Sequence, residues 1–138
     1  IDLATQEVKD IRGKKITMLG ISFKPDSDDL RDSPALEIAV RLKEFGAAVC
    51  CHDPISLDAL KSIEPDLKTE ADIDKAIADA DLVILGTEWS DYRQLQPAAF
   101  TAAPKTKTII DGRNVLDVDL WQAAGWKVIA LGRNIQNA

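Results

Sequence analysis

One histidine, His52, and two adjacent cysteines, Cys50 and Cys51, are all this chain offers of the usual nucleophilic and metal-binding side chains. With no second histidine, neither a zinc site nor a Ser-His-Asp arrangement is credible. Neighbouring residues of a strand point to opposite faces, so Cys50 and Cys51 cannot staple distant segments together. They read as buried strand residues of a reduced, cytoplasmic protein, with nothing nearby to lower a thiol pKa reliably. Basic residues are also scarce, at 17 against 23 acidic, for a net charge of −6. That balance argues against a nucleic-acid or anionic-membrane surface, which would need a basic stripe. No apolar run approaches the ~20 residues of a membrane span, and no signal-peptide pattern is visible. Repeats, low-complexity tracts and flexible linkers are absent too.

What is there is an ordinary composition, 46% hydrophobic and 29% charged, on 138 residues. That length suits one domain with a substantial core. Five short apolar runs stand out: Ile16–Leu19, Ala47–Cys51, Leu82–Leu85, Thr108–Ile110 and Val128–Leu131. They are continuous and not alternating, as strands covered on both faces are. Helical stripes separate several of them. Ala35, Ile38, Leu42 and Phe45 form one, with Ser33 as N-cap, Pro34 in the first turn and Gly46 at the exit. Ile73, Ala76, Ile77 and Ala80 form a second; Leu120, Trp121 and Ala124 form a third, capped by Asp117 and ended by Gly125. Residues 55–70 suggest a short helix and a weak strand, and residues 90–103 a helix broken at Pro97. Alternating strands and helices imply right-handed βαβ units. The expected fold is a doubly wound, Rossmann-like three-layer α/β/α sandwich with a parallel sheet of five or six strands.

The chain begins at Ile1, and Ile1, Ala4, Val8 and Ile11 fall at helical spacing without a start cap. Residues 1–13 therefore read as the tail of a helix arriving from an upstream domain, and 14–138 as the domain itself. The whole is expected to be a piece of something longer.

In such a sheet ligands bind beyond the carboxyl ends of the strands. The first strand runs into Gly20-Ile-Ser-Phe-Lys-Pro-Asp-Ser-Asp-Asp-Leu-Arg-Asp-Ser-Pro34, long for such a connection. It lacks G-x-G-x-x-G, so no standard dinucleotide site is advertised. Phe23 is suited to a planar ligand part and Lys24 to phosphate or sugar oxygens. Arg31, just before a helix start, suits an anion. The alternative is that Lys24 and Arg31 pair with the loop's own aspartates. The run from Asp26 to Asp32 reads as a solvated loop more readily than as a metal site. The other strands end in His52-Asp53-Pro54, Gly86-Thr87-Glu88-Trp89, Asp111-Gly112-Arg113-Asn114 and Gly132-Arg133. Arg113 is a second guanidinium at this edge, unless it simply pairs with Asp111 or Asp117. His52 reads as a hydrogen-bonded strand-end residue, and Trp89 as core.

Four segments in order carry a resemblance. Phe23-Lys24-Pro25-Asp26 through Asp29-Leu30-Arg31-Asp32-Ser33-Pro34, then Gly46–Val49 with His52-Asp53-Pro54, then Ala80–Val83 running to Thr87-Glu88-Trp89, and Ile110–Asp117 resemble the C-terminal domain of the UDP-glucose/GDP-mannose dehydrogenase family. Tyr is commoner than His52 in that family. The resemblance covers roughly residues 14–133. It implies a UDP-sugar-binding domain working with an N-terminal NAD-binding domain and a helical middle that builds a homodimer. It also implies two-step, NAD-dependent oxidation of the sugar C6 alcohol through a cysteine-bound intermediate, in the service of polysaccharide biosynthesis. By motif position Phe23, Lys24 and Arg113 would contact the UDP-sugar, and Arg31 would face the cofactor side of the cleft. The Thr87-Glu88-Trp89 segment, typical of UDP-glucose 6-dehydrogenases, favours UDP-glucose over UDP-N-acetylmannosamine or GDP-mannose. The nucleophilic cysteine and the main NAD site would lie in domains outside this chain, so the chain alone should be inactive. Two other readings stand beside this one: a free-standing, non-catalytic sugar-nucleotide sensor, and a phosphoryl-accepting receiver using Asp53.

Overall fold

Why the apolar runs are continuous is visible once they are paired. The computed structural model describes residues 12–21, 34–53, 57–86, 92, 107–111 and 116–130. Among them six strands form one sheet: β1 (Lys15–Leu19), β2 (Ala48–His52), β3 (Lys68–Thr69), β4 (Leu82–Leu85), β5 (Thr108–Asp111) and β6 (Lys127–Ala130). All pairings are parallel, in the order β3-β2-β1-β4-β5-β6. Successive side chains of each strand go to opposite faces, and each face has its own core. Ile16, Met18, Val49, Cys51, Leu82, Ile84 and Ile110 face one way. Leu19, Val83, Leu85, Ile109 and Val128 face the other.

Helices α1 (Pro34–Glu44) and α2 (Leu57–Ile63) supply Ala35, Ala39, Leu42 and Leu60 to the first core. Helices α3 (Ile73–Ile77) and α4 (Val118–Ala123) supply Ile77 and Trp121 to the second. The expected three-layer sandwich is therefore present, with six strands. The sixth is β3, the weak strand expected within residues 55–70, and it keeps only two rungs with β2.

The helix stops follow the glycines. Gly46 and Gly125 have φ of 97° and 93°, a left-handed conformation that a Cβ would strain. Each closes a Schellman turn. Gly46 N donates to Lys43 O and Ala47 N to Leu42 O, at 2.9 and 3.1 Å; Gly125 N donates to Gln122 O and Trp126 N to Trp121 O, both at 3.0 Å. The second turn brings Trp121 and Trp126 edge to face, with centroids 5.1 Å apart. The Asp117 cap forms as expected, accepting from Leu120 N at 3.2 Å. Lys15 Nζ donates to Ala78 O at 2.5 Å, satisfying a carbonyl just past the end of α3.

Two expectations about helix stripes need correcting. Phe45, expected in the stripe of α1, is 56% exposed. The helix ends at Glu44, and the turn at Gly46 carries Phe45 off the packed face. Leu120, assigned to the stripe of α4, is 37% exposed, and Trp121 beside it fills the core. The expected opening helix at residues 1–11 and the broken helix at 90–103 lie outside the described residues, except for Tyr92. None of the described helices is long and apolar enough to cross a membrane.

Leu42 is fully buried, so Leu42→Ala should cost about 2–5 kcal/mol. Phe45→Ser, on the adjoining exposed turn, should change stability by less than about 0.5 kcal/mol. Urea denaturation of the two variants against the parent chain measures both.

Candidate nucleotide site at the carboxyl edge of the sheet

In this strand order the chain grows from β1 outward to β3, then returns to place β4 on the other side of β1. The β1/β4 junction is thus a topological switch point, where the connections leave in opposite directions and open a crevice. The backbone around it is tightly held. Gly20 N donates to His52 O at 2.7 Å, extending the β1–β2 ladder, and Gly86 N donates to Leu19 O at 2.9 Å on the β4 side. Gly86 lies between the two flanks of the long β1–α1 connection. A Cβ there would come 2.9 Å from Gly20 O on one flank and 2.8 Å from the Ala35 Cβ on the other.

Two carboxylates at this edge serve the backbone. Asp53, 4% exposed, accepts from Ile21 N at 2.8 Å through Oδ2. Asp111, fully buried at the end of β5, accepts from Leu116 N at 2.9 Å and so ties together the residues on either side of positions 112–115. Sequence reasoning noticed both aspartates as strand-end polar groups and missed what they do. The available signal was an aspartate directly at a strand end before Pro54 or Gly112, where the ladder has to stop and amides need acceptors.

His52 is a hydrogen-bonded strand-end residue, as expected, and its partner is Tyr92. The Tyr92 hydroxyl donates to His52 O at 3.2 Å. His52 Nδ1 also lies 2.8 Å from the Tyr92 hydroxyl oxygen in a buried hydrogen bond whose direction the imidazole tautomer sets. The rings meet at 60° with centroids 5.7 Å apart. Because β1 lies between β2 and β4, this pair ties the end of β2 to the segment following β4, across the end of β1.

The four residues expected to touch ligand, Phe23, Lys24, Arg31 and Arg113, lie outside the described residues, as do Thr87, Glu88 and Trp89. What is described is their anchorage. Ile21 and Pro34 bracket Phe23, Lys24 and Arg31; Asp111 and Leu116 bracket Arg113. The two anchor points share the carboxyl edge, on β1 and β5, two strand spacings or about 10 Å apart.

A dinucleotide fingerprint needs free amides and glycines for close backbone approach after β1, but the Ile21 amide is already bonded to Asp53. The same bond disfavours the receiver reading, since Asp53 is buried and its Oδ2 is engaged. The cysteines are equally poor nucleophiles. Burial pushes the Cys51 thiol up to about 12, with Cys50 and the Asp53 charge adding to the rise. Burial also raises Cys50 above its ordinary 9.0, outweighing the opposing pull of Lys15 and Lys68.

Fold and sequence together define a doubly wound α/β domain with a β1/β4 switch point, the place where such sheets bind ligands, and without a dinucleotide fingerprint of its own. The chain belongs to the UDP-glucose/GDP-mannose dehydrogenase family: residues 17–118 match the family's UDP binding domain. It is 35% identical over 134 residues to the UDP-glucose 6-dehydrogenase YwqF of Bacillus subtilis, covering 96% of this chain and 30% of that protein. It is 36% identical over 124 residues to the UDP-glucose 6-dehydrogenase of Rhizobium meliloti, covering 90% and 28%. Among solved structures it resembles a UDP-glucose dehydrogenase from Pyrobaculum islandicum, with a TM-score of 0.74 and 27% identity over 95% of this chain and 28% of that one. It also resembles an NDP-N-acetyl-D-galactosaminuronic acid dehydrogenase from Methanosarcina mazei Go1, with a TM-score of 0.81 and 27% identity over 96% and 28%. The chain spans about 30% of the length of the curated relatives it matches.

Gly86→Ala should destabilise the chain by about 1–3 kcal/mol, because the new methyl group must push apart two backbone segments; thermal or urea unfolding reads this directly. The raised thiol pKa values predict an alkaline weakness. Unfolding releases thiols that ionise near 9.0, while folded Cys51 holds its proton to about 12. The contribution is therefore fully present below pH 9 and falls away as pH rises toward 12. The urea midpoint should drop between pH 8 and pH 10.5, and drop less in Cys51→Ala.

Proposed function

We propose that this chain is the UDP-sugar-binding part of an NAD-dependent UDP-glucose 6-dehydrogenase, which oxidises UDP-glucose to UDP-glucuronate at C6 in two hydride transfers. The observation that carries the reading is the match of residues 17–118 to the family's UDP binding domain, on a sheet whose order opens a crevice at β1/β4. The names of the two relatives above support UDP-glucose as the substrate. In this reading Phe23, Lys24 and Arg113 contact the UDP-sugar, Arg31 faces the cofactor side of the cleft, and residues 14–138 form the binding domain. Residues 1–13 are the tail of a central helix through which the complete enzyme dimerises. NAD is held chiefly by a separate N-terminal domain, in keeping with the lack of G-x-G-x-x-G after β1. The reactive cysteine also lies outside this chain, since Cys50 and Cys51 are buried and reluctant to ionise. The complete enzyme works in the cytoplasm.

The purified chain, mixed with UDP-glucose and NAD, should form no NADH; sustained formation would overturn the division of labour. In the complete enzyme Lys24→Ala should raise KM for UDP-glucose more than it lowers kcat, and a variant with both constants unchanged would remove Lys24 from the site.

A further inference from the structure

Parallel ladders alternate donors from the two strands, and the β1–β2 ladder can be followed to its last rung. Ala48 N donates to Lys14 O at the amino end, and Gly20 N donates to His52 O at the carboxyl end. The next rung would carry an N–H from residue 54 to Gly20 O, and Pro54 has none, so the β1–β2 ladder ends at Gly20. Ile21, the next residue of the chain, is fully buried, and a buried main-chain donor needs an acceptor inside the protein. The Asp53 side chain supplies one, with Oδ2 2.8 Å from Ile21 N in a buried bond. A carboxylate acceptor makes this bond stronger than an ordinary amide pair.

We propose that Asp53 is a positioning residue for nucleotide-sugar binding, because its carboxylate fixes the peptide at which the chain leaves β1 for the ligand crevice. The inference rests on the functional reading given above. Asp53 does not touch ligand in this arrangement. It acts through the Ile21 N–H, two residues before Phe23 and three before Lys24. Three further hydrogen bonds converge on the same region: Gly20 N on His52 O, the hydroxyl of Tyr92 on that same carbonyl, and Gly86 N on Leu19 O. The exit from β1 is thereby held from β2 on one side and β4 on the other. Asp53 is the member that sets the first peptide beyond the ladder, so its loss should be felt in ligand affinity as well as in stability.

The test uses the complete enzyme carrying this chain, with KM and kcat for UDP-glucose, equilibrium binding of UDP and thermal unfolding measured together. Asp53→Ala removes the carboxylate that holds the Ile21 amide and should raise both KM and the UDP dissociation constant about tenfold, with kcat changed less than about twofold. Asp53→Asn keeps an acceptor oxygen at the same reach and should stay within about threefold of the parent in both. If Asp53→Ala does not fold, Asp53→Glu replaces it: one added methylene displaces the acceptor, and the same rise in KM is expected. A lower unfolding temperature with unchanged KM and unchanged UDP affinity would make Asp53 merely structural and overturn the proposal. A parent enzyme that makes no NADH from UDP-glucose would instead overturn the functional reading, and this role with it.

Discussion

Everything at the ligand edge depends on β1 being paired on both sides. Its rungs to β2 and β4 are what place a long connection, a histidine–tyrosine pair and a glycine in one small region. A strand in that position is buried on both faces and along both edges, so each of its backbone groups must find a partner inside the protein. Where the ladder runs out, side chains have to finish the job. That requirement, and not any feature of a ligand, explains why Asp53 is buried at the end of β2.

Aspartates do the same work throughout the domain. Asp81 Oδ2 accepts from Lys15 N at 2.9 Å where β1 begins, and Asp111 accepts from Leu116 N where β5 ends. Asp72 and Asp117 accept from the first turns of α3 and α4. With Asp53, these make five carboxylates bonded to main-chain amides at strand or helix ends. The net charge of −6 is therefore a poor guide to the field over the binding edge. Part of the acid is consumed by the framework, and local cations can still shape a pocket for an anionic ligand.

This construction fits a domain that binds while another reacts. The two thiols are sealed in the sheet, and the Ile21 amide beyond β1 is already bonded to a carboxylate. What the edge offers is a set of firmly held anchor points on β1 and β5, from which the connections bearing Lys24 and Arg113 depart. The family relationship, with the chain spanning about 30% of its curated relatives, accords with that division between a holding part and a reacting part.

Local chemistry was readable from the residues alone. Continuous apolar runs announced strands covered on both faces; Gly46 and Gly125 marked helix stops; Asp117 marked a helix start; and four short motifs in order pointed to the family. Each of these depends on neighbours a few residues apart, whose preferences do not wait for the rest of the fold. The order β3-β2-β1-β4-β5-β6, the two-rung strand at Lys68–Thr69, the exposure of Phe45 and the partners of His52, Asp53 and Asp111 were decided only by the tertiary structure. The bonds of Asp53 and His52 join residues 32 and 40 positions apart, β3 pairs with β2 across 18 residues, the Asp111 bond spans five residues, and the exposure of Phe45 turns on a single residue of helix length. Strand register and the stopping point of a ladder are properties of two segments at once, so neither segment carries them by itself.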